Sequence, residues 1–211
     1  MTAHKVRLHF GKRGDLRLVS HHDLLRCLER LLRRAEVPMA HSQGFNPRPK
    51  IVFAQALGLG IEGLREVVEL ELTEPVSCEE LLRRLRAASP PGLDWLECNS
   101  VPPGRAARVL AAEYCMMIPV ARRHEASLAL DRLSESTHWP YTRHRPDRTS
   151  EFDLRPFLLA AALDAGGVLS FRMKIEPSGS ARPEEVIDAL GLRDLLGEGA
   201  VLVRRGVELA P

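Results

Sequence analysis

At 211 residues and 45% hydrophobic side chains, the chain is long enough for one large domain or two small ones and too apolar to be a disordered tract. It has no apolar run near the ~18 residues that a membrane helix needs, so no membrane partner is expected. The formal net charge is only +2, yet residues 1–50 carry 11 Lys/Arg against 4 Asp/Glu while residues 51–100 carry 4 against 9. The first quarter is thus a basic zone on a nearly neutral chain, the kind of field that draws polyanions.

Residues 4–10 (HKVRLHF) alternate polar and apolar, the pattern of a half-buried strand. A turn at Gly11–Asp15 follows, then a short extension over Leu16–Val19. Ser20 is placed to cap a helix, with Leu24, Leu25, Leu28, Leu31 and Leu32 as its apolar stripe and an end near Glu36. The stretch His41–Ile51 (HSQGFNPRPKI) holds two X-Pro steps, which exclude helix and central strand and predict a stiff, shaped loop. Ile51–Leu57 reads as a buried strand, the glycines at 58, 60 and 63 as a turn, and Glu66–Leu72 as an alternating strand. Ser77 and Glu80 make a capping box for a helix over 78–88, and Leu93–Cys98 is a further strand.

This βαββαβ order is the ferredoxin-like signature. Pro102-Pro103-Gly104 reads as a linker, and beyond it the order runs again. Strands are expected at 111–120, 138–145, 155–163, 167–175 and 200–207, and helices at 122–134 and 182–190. The expected fold class is α+β: two tandem ferredoxin-like (βαββαβ) units with antiparallel sheets, spanning 1–100 and 105–211. The four cysteines, Cys27, Cys78, Cys98 and Cys115, lack paired spacing and read as reduced core thiols, not a zinc site or disulfide framework. With no signal-peptide layout in MTAHKVRLHF, a cytoplasmic protein without metal or cofactor is expected.

The chemistry concentrates in residues 20–50. Capping explains Ser20 and Asp23 of Ser20-His21-His22-Asp23. That leaves His21 and His22 for a surface role, for RNA contact or for proton transfer. Adjacent residues diverge by about 100° on a helix, so one metal ion rarely takes both. Arg26, Arg30, Arg33 and Arg34 share helical spacing; such a face is either simply solvated or a phosphate clamp. In the loop, Gln43, Asn46, Arg48 and Lys50 offer polar contacts, and Phe45 either stacks on a base or fills a gap beneath the loop. The glycines at 58–63 lack the lysine and helix start of a phosphate-binding P-loop and suit a hairpin turn. A smaller basic-aromatic strand is expected around Tyr141, Arg143, His144 and Arg145.

Ser20–Arg26, Leu31–Ala35 with Pro38, and Ser42–Ile51 together resemble the radical-SAM-linked protein family, a domain of unknown function. The resemblance implies association with a radical-SAM enzyme. It departs at Arg48, where the family loop usually has histidine in Asn-Pro-His-Pro-Lys, and at Gly63, where the family usually has serine. The chain carries no Cys-x3-Cys-x2-Cys run of its own for the radical-SAM cluster.

Three functions follow as expectations. The first is an accessory module associated with a radical-SAM enzyme, binding RNA or another anionic substrate through His21, His22, Arg26, Arg33, Gln43, Phe45, Asn46, Arg48 and Lys50. The second is a metal-independent RNA-processing enzyme using His21 and His22. The third is a pure protein-interaction subunit.

Overall fold

The computed structural model describes residues 4–104, 106–145, 147–176 and 179–211. The fold is mixed α+β and divides into two compact units, Met1–Val109 with Leu209–Pro211, and Leu110–Glu208. The expected start of the second unit, residue 105, lies outside the described residues.

The first unit runs β1 (His4–Lys12), α1 (His21–Arg34), β2 (Ile51–Phe53), β3 (Glu62–Leu72), α2 (Cys78–Ala88) and β4 (Leu93–Val101). Its strands lie in the order β4-β1-β3, with β2 also on β3, and these pairs are antiparallel. Alternation sends Val6, Leu8 and Phe10 of β1 and Val68, Leu70 and Leu72 of β3 to one face. There they meet Leu24, Leu28, Leu31 and Leu32 of α1 and Leu81 and Leu85 of α2 in one core. Burying each such leucine contributes about 1.5–3 kcal/mol, which fixes the side of α1 that remains outside. Leu25, expected on the apolar stripe, is only half-buried.

Local chemistry sets the boundaries. Ser20 Oγ accepts from the Asp23 amide at 3.2 Å and starts α1; Ser77 Oγ does the same for Glu80 in α2. The Glu80 carboxylate is bound by Arg83 and Arg84, whose hydrogen bonds pull its pKa down to about 2. α1 stops at Arg34, two residues before the expected end, and Glu36 sits at φ 51. Arg34 then donates to the Ala88 carbonyl and Arg84 to that of Glu36, tying the C-terminal ends of the two helices. Gly92 has φ +84, and a Cβ there would stand 2.4 Å from the Arg13 carbonyl oxygen, so the turn into β4 requires glycine.

Three expectations in this unit need correction. Gly14–Leu18 is a short 3-10 helix and not an extension. β2 ends at Phe53, because the apolar residues beyond it serve the turn: Leu57 is buried beneath it, and the Gly60 amide donates to Arg17 O at 2.8 Å. Of the four thiols, all free, only Cys98 is buried; Cys27, Cys78 and Cys115 are half-buried.

The second unit runs β5 (Val109–Met117), α3 (Arg123–Glu135), β6 (Pro140–His144), β7 (Thr149–Asp153), β8 (Leu158–Leu163), β9 (Val168–Lys174), α4 (Pro183–Ala189), α5 (Arg193–Gly197) and β10 (Val203–Leu209). Its strands lie in the order β10-β5-β9-β8. The expected strand at 138–145 leaves this sheet and pairs with β7 as a separate hairpin. Its side chains explain why: Arg143 binds Glu185 on α4 through Nε at 2.5 Å and Nη2 at 2.7 Å, and the Tyr141 hydroxyl donates to Asp188 at 2.5 Å. Burial and the Asp188 carboxylate push the Tyr141 pKa up to about 12. The expected basic-aromatic surface is therefore largely spent inside the unit. Among the described residues, no helix is long and apolar enough to cross a membrane.

Candidate functional site

The stretch 39–50 folds back on itself as a pinned hairpin. Met39 bridges to Leu72, the Ala40 amide donates to Glu71 O at 2.8 Å and the Lys50 amide to Ala40 O at 2.9 Å. Higher up, the Ser42 amide donates to Arg48 O at 2.9 Å, and the Arg48 amide donates back to Ser42 Oγ at 3.0 Å. Pro49 fixes φ between these rungs and Pro47 just beyond the upper one, and Gly44, at φ +128, turns the tip. The loop is thus stiff for stated reasons, and its tip, Gln43 to Pro47, is exposed.

This hairpin and the outer side of α1 frame one open cleft of about 710 Å³. Arg26, Arg30 and Arg33 enter from the helix, and His41 and Arg48 from the hairpin. Leu32, Val37 and Met39 form an apolar floor, with Pro47 and Pro49 beside them. Glu29 is the carboxylate that shares the lining. Arg26 lies 3.5 Å from Asp23 in an exposed pair, which water screens heavily. Among the described residues, Arg30, Arg33 and Arg48 have no carboxylate within ion-pair reach. Arg26 and Arg30 also border a second hollow of about 360 Å³ with Arg34, so the cationic track continues along the helix.

The residues singled out by sequence separate in space. Arg26, Arg33 and Arg48 line the cleft. Gln43, Phe45 and Asn46 sit on the exposed tip, and Phe45 is 106% exposed. That corrects the reading of Phe45 as a plug beneath the loop, because the hairpin rungs hold the tip away from the core. Lys50 Nζ lies 2.5 Å from Glu71 Oε2, so this cation is partnered. His22 is exposed. His21 packs edge-on against Phe53, with ring centroids 4.9 Å apart, and lies outside the residues lining the cleft. Burial, then His22 and Lys12 nearby, push its pKa below the usual histidine value.

Two further cleft residues, Arg30 from the expected arginine face and His41, stand outside the set expected to bind. The helical spacing that selects Arg26 and Arg33 also selects Arg30. His41 carries a structural role too: its Nδ1 donates to the Met39 carbonyl at 3.0 Å. The floor was not separable by pattern, since Leu32 belongs to the same stripe that fills the core. No group of three or more His, Cys, Asp or Glu side chains that could hold a metal ion occurs among the described residues.

The geometry defines a class: an α+β protein whose first helix and a proline-braced hairpin enclose an arginine-lined cleft. The chain belongs to a family of uncharacterized proteins conserved in bacteria (DUF2344), whose profile matches residues 5–183. No curated protein matches it.

Proposed function

We propose that the chain is a non-catalytic accessory module that binds RNA, or another anionic substrate, through the cleft between α1 and the 39–50 hairpin. Its partner in this reading is a radical-SAM enzyme, to which it presents the bound substrate. The observation that carries the proposal is the meeting of Arg30, Arg33 and Arg48 in one hollow without carboxylate partners among the described residues. Guanidinium groups left in that state are planar, bidentate donors for phosphate. The exposed Phe45 ring on the hairpin tip offers a stacking face. His21 and His22 lie outside the cleft lining, and this reading assigns them no role in binding.

Each unit in this reading is a ferredoxin-like module. The βαββαβ order of the first unit supports this, with antiparallel strands in the order β4-β1-β3-β2. In the second unit the strand order β10-β5-β9-β8 supports it, with the β6–β7 hairpin treated as an insertion.

Filter binding of RNA across a salt series tests the anion site. Phosphate contacts predict a linear fall of log affinity with log salt. Absence of RNA binding at low salt defeats the RNA reading. Co-purification of the native chain tests the partner: recovery of a radical-SAM enzyme supports the accessory role, and its absence from native complexes removes it.

A further inference from the structure

The lining of the cleft is of two kinds, and only one of them suits phosphate. Four guanidinium groups against the single carboxylate of Glu29 attract an anion. The floor of Leu32, Val37 and Met39, with Pro47 and Pro49 beside it, gains nothing from a bare phosphate. A ligand that uses both carries an apolar, flat body next to its negative charge.

We propose that the cleft takes one unpaired nucleotide, with its phosphate on the arginines, its base on the apolar floor and a base or ribose donor on His41. The proposal rests on the anion-binding reading above and narrows it to a substrate class. A volume of about 710 Å³ lies in the range of pockets that enclose small ligands, roughly 300–1,000 Å³. A duplex keeps its bases paired and stacked and offers a convex backbone. Its bases reach such a floor only after unpairing, which costs free energy. His41 supplies directional chemistry. The Met39 carbonyl can only accept, so Nδ1 carries the proton of that 3.0 Å bond. In the neutral ring Nε2 is then an acceptor, which matches an N–H of a base or a ribose hydroxyl and not a phosphate oxygen.

Fluorescence anisotropy on the full chain separates the possibilities. The probes are a labelled single-stranded RNA and its duplex, with a nucleoside monophosphate and inorganic pyrophosphate as competitors. The single strand binds about tenfold or more tighter than the duplex, which pays for unpairing. Competition by the nucleoside monophosphate where pyrophosphate fails assigns the site to a free nucleotide. Failure of both competitors, with the single-strand preference intact, assigns it to a nucleotide within a strand. His41→Ala weakens single-strand binding several-fold and leaves the salt slope unchanged, because no phosphate contact is lost. Equal binding of the duplex, or pyrophosphate competing as well as the nucleotide, overturns the nucleotide assignment and leaves a base-blind anion site standing. An unchanged affinity in His41→Ala overturns the assignment of His41. No binding of either RNA at low salt overturns both this inference and the reading on which it rests.

Discussion

Arg33 on α1 and Arg48 on the proline hairpin line the same cleft, and neither has a carboxylate within ion-pair reach among the described residues. If both engage phosphate, Arg33→Ala and Arg48→Ala each weaken RNA binding by a similar factor across sequences. Each also flattens the salt slope by about one unit. Lys50→Ala is the internal comparison, since Lys50 is already held 2.5 Å from Glu71, and its effect is the smaller one. Salt titrations of the three variants read this directly; unchanged slopes in both arginine variants count against the phosphate clamp.

Phe45 projects from the hairpin tip with its ring fully in water. Truncating a side chain that packs on nothing leaves stability within about 0.5 kcal/mol, so Phe45→Ala keeps the denaturation midpoint of the parent. If the ring stacks on a base, the same variant loses about 1–3 kcal/mol of single-stranded RNA affinity. A drop in stability with affinity unchanged would show the ring packing against protein instead.

The part of this site legible in the sequence was the part set by local rules. Helical spacing places Arg26, Arg30 and Arg33 on one side, and two X-Pro steps force the chain out into a shaped loop. Neither rule says where Phe45 points; that depends on the rungs at Ala40–Lys50 and Ser42–Arg48, whose pairing is a matter of register. The second unit was less legible because its polar residues find distant partners. Arg143 meets Glu185, 42 positions away, and Tyr141 meets Asp188, 47 positions away. A strand that looks basic and available is thereby turned into the clamp of a side hairpin. The same holds for Glu69, one acidic residue in an alternating strand, which proves to be the hub of a buried ion cluster.

Glu69 has a side chain 1% exposed and receives Lys5 Nζ at 2.7 Å, Arg7 Nη2 at 2.9 Å and the Ala107 amide at 3.1 Å. Burial alone would raise its pKa, but the hydrogen bonds from Lys5, Arg7 and Ala107 overcome this and hold it below the ordinary 4.5. Glu69→Gln leaves Lys5 without this carboxylate in a buried setting and costs about 3–5 kcal/mol, read from urea unfolding. The folded carboxyl keeps its charge to lower pH than the unfolded one. Its contribution is therefore complete above about pH 4.5 and is lost as acid carries the pH through the folded value. The parent loses stability over that window, and the variant loses less of it. A variant as stable as the parent would mean that the cluster adds nothing net.

His9 and His21 act on a second, less acidic window. Burial lowers the pKa of His9, and Arg65 and Arg7 lower it further against the opposing pull of Glu97. Its Nδ1 is buried and without a hydrogen-bond partner among the described residues. Burial, His22 and Lys12 lower that of His21. Both rings therefore stay neutral in the fold at pH values where the unfolded chain, with histidines near 6.5, has begun to take up protons. Stability is then full above about pH 6.5, falls as the pH drops below it, and stops falling from this source once the folded values are passed. NMR titration of the ring protons gives both midpoints below 6.5, and His9→Gln removes part of the pH dependence of unfolding between neutral pH and the carboxylate range. A midpoint at or above 6.5 for His9 would mean that Glu97 outweighs burial and the two arginines.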